Sequence, residues 1–590
     1  MIIESLGGKL RCDGRDWDGT PTGWIELAPH RRWIYVQGYV LQDGRFLRDE
    51  EAARHVAGLM RGEDAPSDEL LLGLNGGFSI VVADSDGAIS LRSDRFATTP
   101  LYHHLGAASG VFSVSDSAME LARHVRAPLD IGAALALAAM EFVPGDTTLA
   151  AGVHELRAGS ALAFRQGAVT LRSWWRPRLM PDAEADEAAL EKELALILNT
   201  VADEWSEGLR SLLPIGAPVY IPLSGGLDSR LLAALFSRRL GNRAQAVCYG
   251  DPLSQDVRYS RAAAAALGME HRLVAFTDGS FLSPERRRLL AESIGLTTRL
   301  TLADGGLRLS EEFLPAEGPA VFLPGHSGDI LSGSRLHAGL QGLRTGADVA
   351  ALMSNRWTCF RAPLLEKLLR PEHLHLAGST GSQLAGSCAL VPSGDAMETA
   401  QEWLLYQLVW RRVLTESIVY RRRALPMLPF FDSRLADFFG RIPRRFLYNQ
   451  RVYTNTILRR VFRDHAVARV PLQGRGVLSP VGDANKRHSL RYQTRRATNR
   501  LLRALAPLSY ERRVSSCPMV ALWRRDAEMR ESVLGDIERS SVLPHLFQMD
   551  RLKDYLRSSL GRDDNLTTLG VWGLLTIEYA GQAIADRPGA

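Results

Sequence analysis

The sequence predicts a two-part protein: an α+β, strand-rich N-terminal sandwich, then an α/β unit on a parallel sheet with a helical C-terminal part. Three observations predict it. At 590 residues the chain exceeds what one ordinary hydrophobic core organises, so two or more domains are expected. Up to about residue 178 the apolar residues come in short runs separated by turns. From about residue 190 short apolar runs alternate with helical stretches, the pattern of parallel βαβ units.

In the first part, 1–178, Gly76-Gly77-Phe78-Ser79-Ile80-Val81-Val82-Ala83-Asp84 reads as a strand entering the turn Ser85-Asp86-Gly87. Ile89-Ser90-Leu91-Arg92 returns on the other side as the second arm of a hairpin. Residues 180–187 are acidic and lack β-branched side chains, a linker into an amphipathic helix over 188–205. The second part, 190–590, opens on a short strand at 217–223. A helix at 228–240 stops at Gly241, a strand follows at 244–249, an Ala-rich helix at 255–267 ends at Gly268, and a third strand covers 271–276. A further strand is expected at 320–325, and from about Thr399 the chain reads as mostly helical.

A hydrophobic fraction of 46% and a charged fraction of 23% are those of a soluble globular protein. No long apolar run predicts a membrane span, and Met1-Ile2-Ile3-Glu4 acquires charge too soon for a secretory segment. The five cysteines are scattered without CxxC spacing. They are expected to be reduced thiols in a cytoplasmic protein, without a zinc site or disulfide framework. The net charge of +5 is unevenly placed: 486–503 holds Lys486, Arg487, Arg491, Arg495, Arg496, Arg500 and Arg503 with no acidic residue. Nucleic acid, a solvated helical face and a dock for an acidic peptide are the three readings. No nucleic-acid module accompanies the patch, so no nucleic-acid partner is expected.

Ser224-Gly225-Gly226-Leu227-Asp228-Ser229 lies between the first strand and its helix. Glycines admit an anion close to the backbone, and the helix N-terminus holds negative charge. Asp228 would repel a phosphate unless a magnesium ion stood between them. Without a Gly-Lys-Ser/Thr ending this is not a Walker-type loop.

The loop resembles the pyrophosphate-binding loop of the N-type ATP pyrophosphatases, which have an adenine nucleotide alpha hydrolase-like fold. Three more stretches resemble the asparagine synthetase family, in its order: Ser254-Gln255-Asp256-Val257 with Gly268-Met269-Glu270-His271, Gly325-His326-Ser327-Gly328-Asp329, and Leu428-Pro429-Phe430-Phe431-Asp432. The resemblance covers most of 218–480. It implies ATP and Mg2+ as cofactors, and contacts to the nucleotide from Leu223, Ser224, Gly225, Gly226, Asp228, Ser229, Cys248 and Gly325. Magnesium ligation would come from Asp228 and Asp329. The implied chemistry is attack of a carboxylate on the α-phosphorus, loss of pyrophosphate, and displacement of AMP by an amine.

Leu74-Asn75-Gly76-Gly77-Phe78, the run 93–102 and Phe112-Ser113-Val114-Ser115-Asp116 resemble that family's glutaminase domain, which has an Ntn-hydrolase-like sandwich. The family's nucleophilic cysteine follows the initiator methionine. Here the residue is Ile2, and Cys12 is in the wrong place to substitute, so glutamine hydrolysis is expected to be absent. Two kinds of relative have lost it in this way, the β-lactam synthetases and the lasso peptide cyclases. Both capture an activated carboxylate with an amine of the same molecule. His326 stands where asparagine synthetase has a glutamate; it reads either as a catalytic base or as a packing or phosphate-facing histidine. Arg475 is the cation at the offset of the family's catalytic lysine. The expectation is a macrolactam-forming cyclase acting on a precursor peptide, with a leader-binding protein and a leader peptidase as partners. A β-lactam synthetase-like enzyme, an ammonia-dependent asparagine synthetase and a non-catalytic scaffold are the alternatives.

Overall fold

The computed structural model describes the chain except residues 8, 14, 17–20, 28–30, 108–109, 181–182, 277–282, 301–303, 314–319, 337–339, 341, 358–359, 391–394, 464, 473–476, 482–493, 495–497, 499–525, 560–564 and 587–590. Two antiparallel sheets form the N-terminal part. In one, the strands run in the order Val153–Glu155, Tyr102–Leu105, Val111–Ser115, Ile2–Leu6, Lys9–Cys12, Arg15–Asp16. In the other they run Ala168–Ser173, Ser160–Arg165, Ile89–Ser93, Asn75–Asp84, Arg32–Gln42, Ile25–Leu27, with Arg45–Arg48 pairing beside Arg32–Gln42.

The predicted hairpin is present, with Ser79 opposite Ser93 and Ala83 opposite Ile89. Its first strand is buried from Gly77 to Ala83 because both of its faces are covered. Val81 and Ala83 join Ile3, Trp33 and Phe112 between the sheets. Ile80 and Val82, on the alternate face, pack with Ala52 and Val56 of the helix Asp49–Met60. That helix and Asp68–Gly73, Ala118–His124 and Ile131–Ala139 supply the α elements of this part.

The second part is built on a five-stranded parallel sheet in the order His271–Ala275, Ala244–Gly250, Val219–Pro222, Val321–Phe322, Leu425–Pro426. The first three strands and the helices Leu227–Leu240 and Gln255–Ala266 fall where the sequence pattern puts them. The strand expected at 320–325 is only two residues long, and Pro324 and Gly325 line the cavity described below. The fifth strand was not foreseen: two residues ending in Pro426, inside a helical region, carry no strand periodicity. The helix expected at 188–205 extends over Glu187–Leu212, started by Asp186, whose side chain accepts from Ala188 N. Among the described residues no helix is long and apolar enough to cross a membrane.

The two parts share a core. Tyr39, Phe46 and Trp205 meet edge to face. The buried Arg411 pairs with Glu155 across the joint, and Trp410 Nε1 donates to the same carboxylate at 2.7 Å. Fully hydrogen-bonded buried ions of this kind fix orientation.

Candidate active site

Val219–Pro222 is the central strand of the parallel sheet, and its C-terminal end delivers the glycine loop. Leu223 N donates to Val247 O at 2.8 Å, which continues the ladder one residue further. Ser229 Oγ accepts from Ser224 N at 3.1 Å and lies 2.9 Å from Ser224 Oγ, so the loop closes on itself through two hydroxyls. Gly225 packs against Asp256: a Cβ added there would sit 2.9 Å from Asp256 Oδ1 and 3.2 Å from its Cα. Gly225 N donates to that same carboxylate. Asp256 is aimed by its own helix start, because Ser254 caps the helix by accepting from Val257 N at 3.2 Å.

A second loop leaves the neighbouring strand Val321–Phe322 and meets the first. A Cβ on Gly325 would lie 2.7 Å from Ser229 N, so the close approach requires glycine. Ser327 takes φ +65°, a conformation that bends the chain into the short helix Gly328–Leu331. The bend brings Asp329 beside Asp228: Asp329 N donates to Asp228 Oδ2 at 2.6 Å. Tyr453 OH holds Asp228 Oδ1 at 2.8 Å, and Ser334 Oγ holds Asp329 Oδ2 at 2.9 Å.

These loops border a cavity of about 430 Å³ at the C-terminal ends of the strands, where open parallel sheets bind their ligands. Leu223, Ser224, Gly225, Gly226, Asp228, Ser229, Cys248, Gly325, His326 and Asp329 all line it. The predicted Arg475 and the basic stretch 486–503 lie outside the described residues, apart from Thr494 and Thr498. Burial pushes the Cys248 thiol up to about 12, so it contributes shape to the wall and no thiolate.

The sequence reading missed Glu416, Tyr249, Asp256 and Leu309, which also line the cavity. Glu416 is the most consequential. Its Oε2 lies 3.6 Å from His326 Nε2, and its Oε1 accepts from Tyr420 OH at 3.1 Å. Among the described residues His326 Nε2 has no hydrogen-bond partner. Burial raises the Glu416 carboxyl to about 7 and lowers the His326 imidazole to about 4. Both shifts disfavour charge in a dry place. The detectable signal was a single carboxylate inside the otherwise uncharged helix Thr415–Tyr420.

The residues present fit a magnesium-bound nucleotide. The glycine loop leaves backbone exposed to an anion, and two carboxylates stand beside it. Among the described residues no group of three or more His, Cys, Asp or Glu is arranged around a metal. Two carboxylates suit magnesium, which keeps phosphate oxygens and water as its other ligands.

The fold and cavity therefore define a two-part protein: an antiparallel sandwich joined to a parallel-sheet domain with an anion loop at its strand ends. Residues 209–532, more than half of the chain, match the asparagine synthase family, and the protein belongs to that family. Residues 63–175 match the glutamine amidotransferase domain. No curated protein matches the chain. Membership makes the protein an ATP-using C–N ligase, with magnesium the usual metal of the family.

Proposed function

We propose that the protein is an AMP-forming amide-bond synthetase of the lasso peptide cyclase type. Its substrate is a precursor peptide freed of its leader; an Asp or Glu side chain is activated by ATP and closed onto the peptide's N-terminal amine as a macrolactam. A leader-binding protein and a leader peptidase supply that substrate. The observation that carries the reading is the cavity with two chemically different regions: Asp228 and Asp329 beside the glycine loop, and the His326–Glu416 pair.

Asp228 and Asp329 would hold magnesium, which offsets phosphate charge and polarises the phosphoryl group under attack. Ser224, Gly226 and Ser229 would cradle the pyrophosphate. An ammonium has no lone pair, so the attacking amine must first lose a proton. A carboxyl poised near 7 is matched to that task at physiological pH, and His326 lies beside it on the cavity wall, 3.6 Å away. Burial of the pair keeps competing water away from an activated carboxylate.

The N-terminal part supports an amine that comes with the substrate. Cys12 lies on the strand Lys9–Cys12, and burial with the neighbouring Asp13 carboxylate pushes its thiol up to about 11. A thiol so far from ionising is a poor nucleophile for glutamine.

The test is mass spectrometry of a candidate precursor incubated with this protein, the leader-processing partners, ATP and magnesium. A core peptide lighter by one water, with AMP as co-product, supports macrolactam formation. An unchanged core, with the leader removed, overturns the peptide assignment and moves the search to a β-amino acid of the kind closed to a β-lactam.

A further inference from the structure

Arg230 is the fourth residue of the helix that follows the glycine loop, and it is 2% exposed. A cation in the first turn of a helix opposes the helix dipole, so its presence there needs a reason. Its hydrogen bonds go to carbonyls. One terminal nitrogen donates to Val470 O at 2.7 Å; the other donates to Pro471 O at 3.0 Å and Gly225 O at 3.3 Å. Its Nε has no partner. Among the described residues no carboxylate offsets its charge, and burial lowers it to about 10, which leaves it a full cation at neutral pH.

The three acceptors belong to two separate segments that reach the cavity. Gly225 is in the glycine loop, and Pro471 leads into Leu472; Gly225 and Leu472 both line the cavity. In a trans peptide the C=O and N–H point in opposite directions. With the Gly225 carbonyl turned to Arg230, the Gly226 N–H faces away from it, where Ser224 Oγ now accepts it at 3.1 Å. Gly226 N–H is one of the donors on which anion binding by the loop depends. Further along the chain, buried Asn455 exchanges hydrogen bonds with Val481 N at 2.7 Å and Val481 O at 3.0 Å.

From this geometry we infer that Arg230 is a positioning residue of the nucleotide site: one guanidinium orients the glycine-loop peptide, ties it to the 470–472 wall, and supplies the buried positive charge against which a pyrophosphate group is held. This rests on the nucleotide reading above. An unpaired buried ion is costly to the free protein, and a bound polyanion supplies the missing countercharge. The planar fork that reaches both loops is specific to arginine; lysine carries the charge but offers a single point.

The experiment is a thermal-shift and calorimetric titration of the full chain with magnesium ATP and, separately, with inorganic pyrophosphate. Wild type, Arg230→Met and Arg230→Lys are compared. In Arg230→Met both ligands bind at least tenfold more weakly and the ligand-induced rise in melting temperature shrinks. Arg230→Lys recovers part of each. A merely structural role would lower the melting temperature with and without ligand alike and leave the ligand-induced increment intact; that result overturns the inference. Should Arg230→Met fail to fold, Arg230→Lys decides alone: pyrophosphate affinity equal to wild type overturns the inference, and affinity reduced threefold or more supports it. Wild type that binds neither ligand removes the nucleotide reading itself, an outcome separate from any difference among variants.

Discussion

Glu416 Oε2 faces His326 Nε2 at 3.6 Å, too far for a hydrogen bond and with the imidazole nitrogen otherwise unpartnered among the described residues. Gly306 makes the approach possible, since a Cβ there would lie 2.7 Å from Glu416 Cγ. Gly305 does the same for Tyr249, whose ring would lie 2.2 Å from an added Cβ. A pair of glycines on the helix Asp304–Phe313 thus lets an acid and a phenol sink against backbone.

The first prediction concerns pH. Burial holds Glu416 neutral up to about 7, so only above that does it become the carboxylate that takes a proton from an amine. Amide closure under saturating ATP should rise with pH through about 7. Glu416→Gln should lose that rise and slow closure by about 10²–10⁴-fold, and His326→Ala should slow closure more than adenylation. Closure by Glu416→Gln within threefold of wild type would remove the base role.

Stability gives the same group a second readout. The folded pKa is raised above the unfolded value of 4.5. The stabilisation is therefore fully present below 4.5 and is lost as pH rises through about 7. Above that pH the folded state carries a penalty of up to about 3 kcal/mol. Glu416→Gln should melt higher than wild type at pH 8 and alongside it near pH 4; the reverse order at pH 8 would refute the shift.

Asp228→Ala and Asp329→Ala should each cut ATP-dependent pyrophosphate release by at least about 10²-fold, with far-ultraviolet circular dichroism unchanged. Tyr453→Phe leaves both carboxylates in place but frees Asp228 Oδ1 from its donor. Its predicted signature is a higher magnesium requirement, restored to near wild-type turnover at saturating metal. Full activity in either aspartate variant would end the two-carboxylate assignment.

Gly325→Ala tests the contact between the two loops. The added methyl would lie 2.7 Å from Ser229 N and 2.9 Å from its Cα, both backbone-fixed, so one loop must move. Loss of at least about tenfold in ATP affinity is expected, because a displacement of a few tenths of an ångström separates Asp329 from Asp228. Equal affinity in equilibrium dialysis would show that the loops yield without consequence.

Much of this site was legible because its signals are local. The glycine loop, Asp228 and Ser229 fall within six consecutive residues, and Gly325, His326 and Asp329 within five. Strand-to-helix turns of this kind depend on residue types at fixed offsets. Glu416, Tyr453 and Arg230 were not legible as partners, because their roles arise from contacts across 90, 225 and 240 residues of sequence. Val321–Phe322 showed as an apolar run, whereas the two-residue strand Leu425–Pro426 is set by its neighbour in the sheet and carries no periodicity of its own. Asp256 was visible as the start of an acidic helix; that its carboxylate would hold Gly225 N was a matter of how two loops pack.

The last prediction addresses the joint between the two parts. Asn75 Nδ2 donates to Asp432 Oδ2 at 2.9 Å, and Asn75 Oδ1 accepts from Ser433 N at 2.9 Å. Asp432 is 1% exposed and also accepts from Trp205 Nε1 at 3.0 Å and from Arg434 at 2.8 Å and 2.9 Å. Removing Asn75 leaves Asp432 its other donors, so Asn75→Ala should cost about 1–2 kcal/mol. Removing Asp432 leaves Trp205 Nε1 and Asn75 Nδ2 without this acceptor and Arg434 held by Glu204 alone, so Asp432→Ala should cost more, about 2–4 kcal/mol. Because Asn75 and Asp432 sit in different parts of the chain, the larger loss should also uncouple their unfolding. Differential scanning calorimetry of wild type should give one transition, and Asp432→Ala should resolve into two. A single transition in Asp432→Ala, at the wild-type temperature, would show that the shared aromatic core of Tyr39, Phe46 and Trp205 carries the coupling without this hydrogen-bonded joint.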